Sequence, residues 1–293
     1  MRNQKISRRS FLKRFTYGLL GTLGLSGGTY YYSKYIEPSM LTIKEETIQS
    51  PRVPSSFNQF KILQFSDTHL GFHYDLTKLR DLVKKINDQT PDLVLFTGDL
   101  ADDPNSYSSA QLEACIPILK DIKAPYGKYW VYGNHDHGGY GTEKIQMVMD
   151  SGGFQLLQNQ SADIPLKDAR IQLAGLDDVM LGQPDLHQTL EGTDPDKFTL
   201  LMCHEPDFAD QTLRYPVDVQ LSAHSHGGQI QIPFFGHLIT PPYANKYVEG
   251  KFTLGDQQLQ LFVSRGIGTT RLPFRFLCRP EINIYYLEKL ENV

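Results

Sequence analysis

Between Lys61 and Leu100 the chain reads KILQFSDTHL, an amphipathic segment, and then PDLVLFTGDL. Two apolar runs each end at a carboxylate, Asp67 and Asp99, and the first adds His69 two residues later. Short apolar runs bounded by polar turns predict buried strands, and the segment between them predicts a helix. Strand, helix and strand in that order make a βαβ unit, with a parallel pair and a right-handed crossover. Open α/β sheets collect their ligands beyond the carboxyl ends of such strands. A chain with this opening should deliver further nitrogen and oxygen donors at later strand ends.

The rest of the body follows that expectation. A strand is predicted over Phe60–Ser66 and a helix over Asp75–Asp88, capped by Asp75, with Leu76, Leu79, Val83 and Ile86 on one face. Asp92–Thr97 is the next strand, and Ser106–Lys120 reads as a helix interrupted by Pro117. Lys128–Tyr132 is a third strand, ending in Gly133-Asn134-His135-Asp136, and Thr142–Asp150 is helical until Gly152-Gly153 stops it. Short strands are expected at Phe154–Leu157 and Arg170–Leu176. The apolar runs Lys197–Cys203 and Asp218–Ser222 stop at His204 and at Ala223-His224-Ser225-His226. Lys251–Leu254, Leu259–Ser264 and Glu281–Leu287 alternate as hairpin strands. With no internal repeat, residues 59–293 are expected to form one α/β domain of two layered sheets flanked by helices.

A single Gly-Asp, or one His at a strand end, usually marks a turn or a satisfied core residue. Here five strand ends in succession each supply Asp, Asn or His. Mixed Asp, His and Asn donors suit borderline divalent ions such as Mn, Fe or Zn better than Mg alone. Asp67, His69, Asp99, the Gly-Asn-His-Asp at 133–136, His204, His224 and His226 together offer more donors than one ion needs.

The ordered series D-x-H at 67–69, G-D at 98–99, G-N-H-D at 133–136, His204, and then A-H-S-H at 223–226 resembles the calcineurin-like metallophosphoesterases. The resemblance covers roughly residues 60–290, and Ala223 stands where that family usually has glycine. It implies a four-layer α/β/β/α sandwich with mixed sheets and two divalent metal ions. One ion would lie on Asp67, His69 and His226 and the other on Asn134, His204 and His224, with Asp99 bridging. His135 would stay off the metals, reach the phosphate and assist the leaving group, while a metal-bridging hydroxide attacks. Asp136 is expected to cap backbone or support the ligands, and His137, Tyr140, Asp178 and Arg271 are candidates for the substrate rim. YGNHDHGGYG, HEPD, HGGQIQIPFFG and RGIGTTRLPFRF, taken with the leader, look like the YkuE-type exported phosphoesterases of Gram-positive bacteria. That implies a phosphodiesterase acting on a cell-wall or lipid-linked phosphoester. Phosphomonoesterase or protein phosphatase activity is the alternative, since the ligands do not separate the ester classes. A wall-associated protein with purely structural metals is the reading from another class.

The leader carries Ser7-Arg8-Arg9-Ser10-Phe11-Leu12-Lys13 ahead of a modestly apolar, Gly-rich run, and resembles a twin-arginine export signal. The export machinery is thus an expected partner, and the cell wall or outer face of the cytoplasmic membrane the expected location. Residues 1–32 are assigned to this signal, either cleaved or kept as an anchor, and residues 33–58, with three prolines, to a linker. Residues 1–14 hold six Arg/Lys and no acid, so the remainder is near −10 against −4 for the whole chain. An acidic body argues against nonspecific nucleic-acid binding. Cys115, Cys203 and Cys278 have no metal-binding spacing and read as buried thiols, with a single disulfide as the alternative.

Overall fold

A computed structural model describes residues 8–137, 142–256 and 258–291. In chain order its strands are β1 (Thr42–Ser50), β2 (Lys61–Phe65), β3 (Leu93–Phe96), β4 (Lys128–Trp130), β5 (Gln155–Leu156), β6 (Gln160–Leu166), β7 (Ala169–Gly175), β8 (Thr199–Met202), β9 (Val219–Ser222), β10 (Gln231–Ile232), β11 (Gly236–His237), β12 (Gly250–Leu254), β13 (Leu259–Val263) and β14 (Glu281–Lys289). The helices are α1 (Arg8–Tyr31), α2 (Leu76–Asp88), α3 (Ser109–Glu113), α4 (Ile116–Lys120), α5 (Thr142–Ser151), α6 (Leu186–Thr189) and α7 (Ala209–Thr212).

One sheet runs β1-β14-β2-β3-β4-β5 and the other β12-β13-β9-β8-β7-β6, both with parallel and antiparallel pairs. The inner strands β2, β3, β8 and β9 are buried on both faces, so alternation there sorts side chains between layers rather than between core and water. On β2, Ile62 faces the interior between the sheets, with Leu95, Leu173, Leu200 and Leu221. Leu63 and Phe65 face the opposite way, onto Leu79, Leu82, Val83 and Ile86 of α2. Asp75 caps that helix by accepting from Lys78 N at 2.9 Å. Burying each of these aliphatic side chains is worth about 1.5–3 kcal/mol. On the far side, Leu201, Leu261 and Val263 pack under Leu186, Leu190 and Phe208. The layers are therefore α/β/β/α. Between the sheets, Gln64 donates to Thr97 Oγ1 and to the Ser222 carbonyl at 2.9 and 3.1 Å and accepts from Tyr285 OH at 2.7 Å, a polar cross-tie immediately beneath the strand ends.

Four expectations need correction. Residues 42–50, placed in a linker, form β1, in parallel register with β14 from Thr42↔Glu281 to Ser50↔Lys289. Its sequence IKEETIQS looks like a tether because an edge strand leaves one face in water. The Glu281 strand is not a third member of a tail hairpin: it crosses to the first sheet and pairs with β1 and β2, leaving β12 and β13 as the hairpin. β6 was not anticipated; it too is an edge strand, and it carries Pro165 where edges tolerate proline. The 106–120 helix breaks at Ala114–Cys115 rather than at Pro117, which sits in the first turn of α4, where its missing N–H costs nothing. The three cysteines are free and buried.

Candidate metal centre

The carboxyl ends of β2, β3, β8 and β9 converge, and the turns that follow them are unusually tight. Asp67, His69, Asp99, His224 and His226 all have positive φ, between 41° and 65°. Left-handed backbone at non-glycine residues costs roughly 1–3 kcal/mol each and persists only where packing enforces it. Gly133 is one source of the enforcement: a Cβ there would collide with Asp99 Oδ1 and His204 Cε1. Ala223, at the position where glycine was expected, is fully buried and donates its N–H to the His204 carbonyl at 2.9 Å, so its methyl is accommodated.

Two clusters result. Asp67, His69 and His226 form one, and Asp99, His204 and His224 the other, with donor atoms close enough to share an ion within each. His69 Nε2 lies 3.0 Å from His226 Nε2, and His226 Nε2 lies 3.4 Å from Asp67 Oδ1. In the second cluster His224 Nδ1 is 3.2 Å from His204 Nε2. Asp99 Oδ2 stands between them, 3.5 Å from His69 Nε2 and 3.3 Å from His204 Nε2. Asn134 and His135 line the same cavity as His69, Asp99, His224 and His226.

The outward nitrogens assign the protons. His204 Nδ1 is 2.6 Å from the Thr97 carbonyl and His224 Nε2 is 3.0 Å from the Pro242 carbonyl. A carbonyl only accepts, so each of those nitrogens carries hydrogen, and in the neutral ring the opposite nitrogen is left with the lone pair. The inward nitrogens His224 Nδ1 and His204 Nε2 approach to 3.2 Å. Burial would lower His204, but the Asp99 charge outweighs it and raises that imidazole well above its usual range, so a positive charge is favoured beside Asp99. Both Asp67 oxygens and Asn134 Oδ1 are buried with no hydrogen-bond partner. Burial lowers His224 to about 3, aided by His204, and burial likewise holds His226 well down, aided by His69. Burial pushes Asp67 up, against the pull of His204. Burial would raise Asp99 too, but His204 and His135 outweigh it and hold the carboxyl well below its usual range. The depressed imidazoles of His224 and His226, an ionised central carboxylate and the orphaned oxygens of Asp67 and Asn134 fit divalent cations.

The supporting residues include one that sequence reasoning missed. Asp102 Oδ1 lies 3.0 Å from His69 Nδ1 and accepts from Thr270 Oγ1 at 3.1 Å, and the Asp102 carbonyl accepts from His135 Nδ1. The signal was present in GDLADD, three residues beyond Asp99. Asp136 is fully buried and accepts from Asp99 N, Leu100 N and Gly133 N at 2.6, 2.9 and 3.2 Å, so it fixes the Asp99 turn. Burial and the Asp99 charge push it up to about 7.

The expected rim is only partly assembled. Arg271 lines the cavity. His137 and Asp178 do not: His137 is held 3.1 Å from Asp177 Oδ1, and Asp178 is buried, accepting from Leu181 N. Tyr140 lies outside the described residues. The cavity, about 310 Å³, instead has apolar walls, with Met180, Leu238, Ile239, Pro241, Pro242 and Leu272 above the polar floor.

Residues 60–228 match the family model described as calcineurin-like phosphoesterase. The chain is 46% identical over 290 residues to "Uncharacterized metallophosphoesterase YkuE" of Bacillus subtilis, covering 97% of this chain and 99% of that one. It is 28% identical to "Phosphodiesterase YaeI" of Escherichia coli, over 96% and 99% of the two chains. It is also 25% identical to "UDP-2,3-diacylglucosamine pyrophosphatase LpxG" of Chlamydia muridarum, over 87% and 92%. The layered fold, the Asp/His clusters at its strand ends and the match across that core lead to one conclusion: the chain belongs to the calcineurin-like phosphoesterase family, the metallophosphoesterases.

Proposed function

We propose that the protein is a metal-dependent phosphodiesterase with a two-metal centre, exported by the twin-arginine pathway to act outside the cytoplasmic membrane on a wall or lipid-linked phosphoester. The observation that carries this reading is the position of Asp99 Oδ2, within 3.5 Å of one imidazole nitrogen from each cluster. Asp67, His69 and His226 would hold one ion, Asn134, His204 and His224 the other, and Asp99 would touch both. When bound, Mn, Zn or Fe would supply Lewis acidity toward the phosphate oxygens and an activated water.

The chain's own residues supply positioning and proton transfer. His135 N donates to Asp99 Oδ1 at 2.9 Å, which seats the imidazole at the edge of the clusters. Its Nδ1–H is spent on the Asp102 carbonyl, so the protonated ring is the form whose Nε2–H can be given to a departing oxygen. Burial lowers the His135 pKa, but Asp99, the Asp102 carbonyl and nearby carboxylates raise it more, and the net shift is upward. A cationic imidazole beside the cleft would also steady negative charge on phosphate. Arg271 offers a second positive group at the mouth.

The apolar cavity walls favour a diester whose flanking groups are not strongly charged, and the names of the YaeI and LpxG relatives favour diester or pyrophosphate cleavage over monoester hydrolysis. The Arg8-Arg9 motif supports twin-arginine export. No helix among the described residues is long and apolar enough to cross a membrane. The test is paired turnover of the full chain, loaded with Mn or Zn, on bis-p-nitrophenyl phosphate and p-nitrophenyl phosphate. The diester should turn over faster, and chelation should abolish the reaction. Preference for the monoester would move the protein to the phosphomonoesterase reading, and silence on both would favour structural metals.

A further inference from the structure

The two most exposed large apolar side chains among the described residues lie on a hairpin that leads into the cleft wall. The β10–β11 hairpin carries Phe234 and Phe235 at its tip, 106% and 84% exposed. Leu238, Ile239 and Leu272 are both exposed and part of the cavity wall, so the apolar surface runs from the hairpin into the site. Scattered exposed hydrophobics need no explanation, whereas a contiguous apolar rim around a site does.

This rim is joined to the N-terminal helix. Gln231 N donates to the Phe276 carbonyl and Phe276 N to the Gln229 carbonyl, both at 2.9 Å, which roots the hairpin on the 274–278 segment. Tyr32 packs edge-on against Phe276 and Tyr30 against Phe274. The Arg275 N–H donates to the Ser33 carbonyl at 2.9 Å, and buried Glu37 accepts from Leu277 N and Cys278 N. The exposed helix, with Leu12, Tyr17 and Leu25 among its outward residues, therefore emerges from the same face as the hairpin.

The charge on this face differs from that of the body. Residues 226–248 and 265–280 contain no Asp or Glu, and the first acid in the chain is Glu37. Arg265 is paired with Glu249, Lys246 with Asp210, and Arg275 is buried beneath the loop, so Arg271 and Arg279 are the remaining exposed arginines there, with Lys34 at the near end of the N-terminal helix. The acids that reach these segments, Asp207, Asp210 and Glu249, are engaged by Asn245, Lys246, Tyr247 and Arg265. An apolar face carrying exposed arginines on an otherwise acidic protein is complementary to an anionic bilayer surface.

We infer that this face docks the protein on anionic phospholipid, with Phe234 and Phe235 inserted among the acyl chains, so that the cleft opens onto the headgroup layer. The inference rests on the extracytoplasmic phosphodiesterase reading for its biological setting, but the geometry of the face stands independently of catalysis. Insertion through a hairpin and a cleft mouth, without a spanning helix, predicts reversible peripheral binding that weakens as salt screens the arginines.

The test is co-sedimentation of the full chain with vesicles of phosphatidylglycerol and phosphatidylcholine mixed, against pure phosphatidylcholine. Binding is expected to the anionic vesicles only. The double variant F234S/F235S should lower that binding about tenfold or more, the effect of removing two inserted aromatic rings. Both residues lie outside the site, so turnover of bis-p-nitrophenyl phosphate should be unchanged. The chain has one tryptophan, the fully buried Trp130, so Phe234→Trp adds an independent reporter whose emission should shift to the blue on anionic vesicles. Undiminished vesicle binding by the double variant, or an unmoved Phe234→Trp signal, would overturn the docking. So would hairpin-dependent self-association, or binding to isolated wall polymer, in the absence of vesicle binding. Vesicle binding by a protein with no diesterase activity would leave the docking intact and remove the catalytic reading instead.

Discussion

The Asp102 carboxylate stands 3.0 Å from Nδ1 of His69, on the side of the imidazole turned away from the ligand cluster. A carboxylate in that place keeps the proton on Nδ1 and the lone pair on Nε2, which is the form that binds a cation. Burial raises Asp102, but its contacts with His69 and His135 outweigh this and hold the carboxyl below its usual range.

Replacing Asp102 with Asn should therefore weaken metal binding rather than remove a reacting group. We expect metal affinity to fall about 10- to 100-fold, with turnover largely restored at saturating metal. Titration of the chelated protein with Mn or Zn, followed by activity against metal concentration, checks this. An unchanged titration with lost turnover would place Asp102 in the chemistry itself.

His135→Ala should have the opposite signature, sparing the metals while depressing kcat about 10²- to 10⁴-fold. The pH profile supplies the sign. His135 has a raised pKa, so its protonated form is complete below the ordinary value near 6.5 and is lost as pH rises through the raised one. With a poorly activated leaving group, the wild-type rate should fall on that alkaline side. The variant should lack the fall, and its deficit should shrink with nitrophenyl esters, whose leaving group needs no proton.

Glu37→Ala should act on stability and on the N-terminal helix, far from the chemistry. It would leave the buried N–H of Cys278 and the half-buried N–H of Leu277 without their acceptor. Each unsatisfied group costs about 1–3 kcal/mol. A lowered midpoint of thermal unfolding and faster proteolysis within residues 8–36 are the expected results, with metal content unchanged.

How far the sequence discloses all this depends on what each residue faces. β2, α2 and β3 are legible because they are buried on a full face or stripe, and the polar residues at their ends interrupt long apolar runs. The seven candidate ligands are legible for the same reason: Asp67, Asp99 and His204 each end such a run. β1 and β6 are not, because an edge strand half in water reads as a polar tether. Asp102 was missed because its role is set by proximity to His69 and His135, which no spacing rule expresses. His137 and Asp178 looked like rim residues by adjacency to motifs, yet the turns carry them to Asp177 and Leu181. Only the folded chain brings the 238–242 and 270–272 loops together as cavity walls.

The most direct test of the account is the metal content of the purified, metal-reconstituted protein and of its Asp99→Asn variant, measured by elemental analysis. The account predicts about two divalent ions per chain in the wild type, and loss of the pair together with turnover in the variant, because Asp99 is the carboxylate that faces both clusters. A wild-type protein saturating at a single ion, or a variant that still holds two tightly, would contradict it.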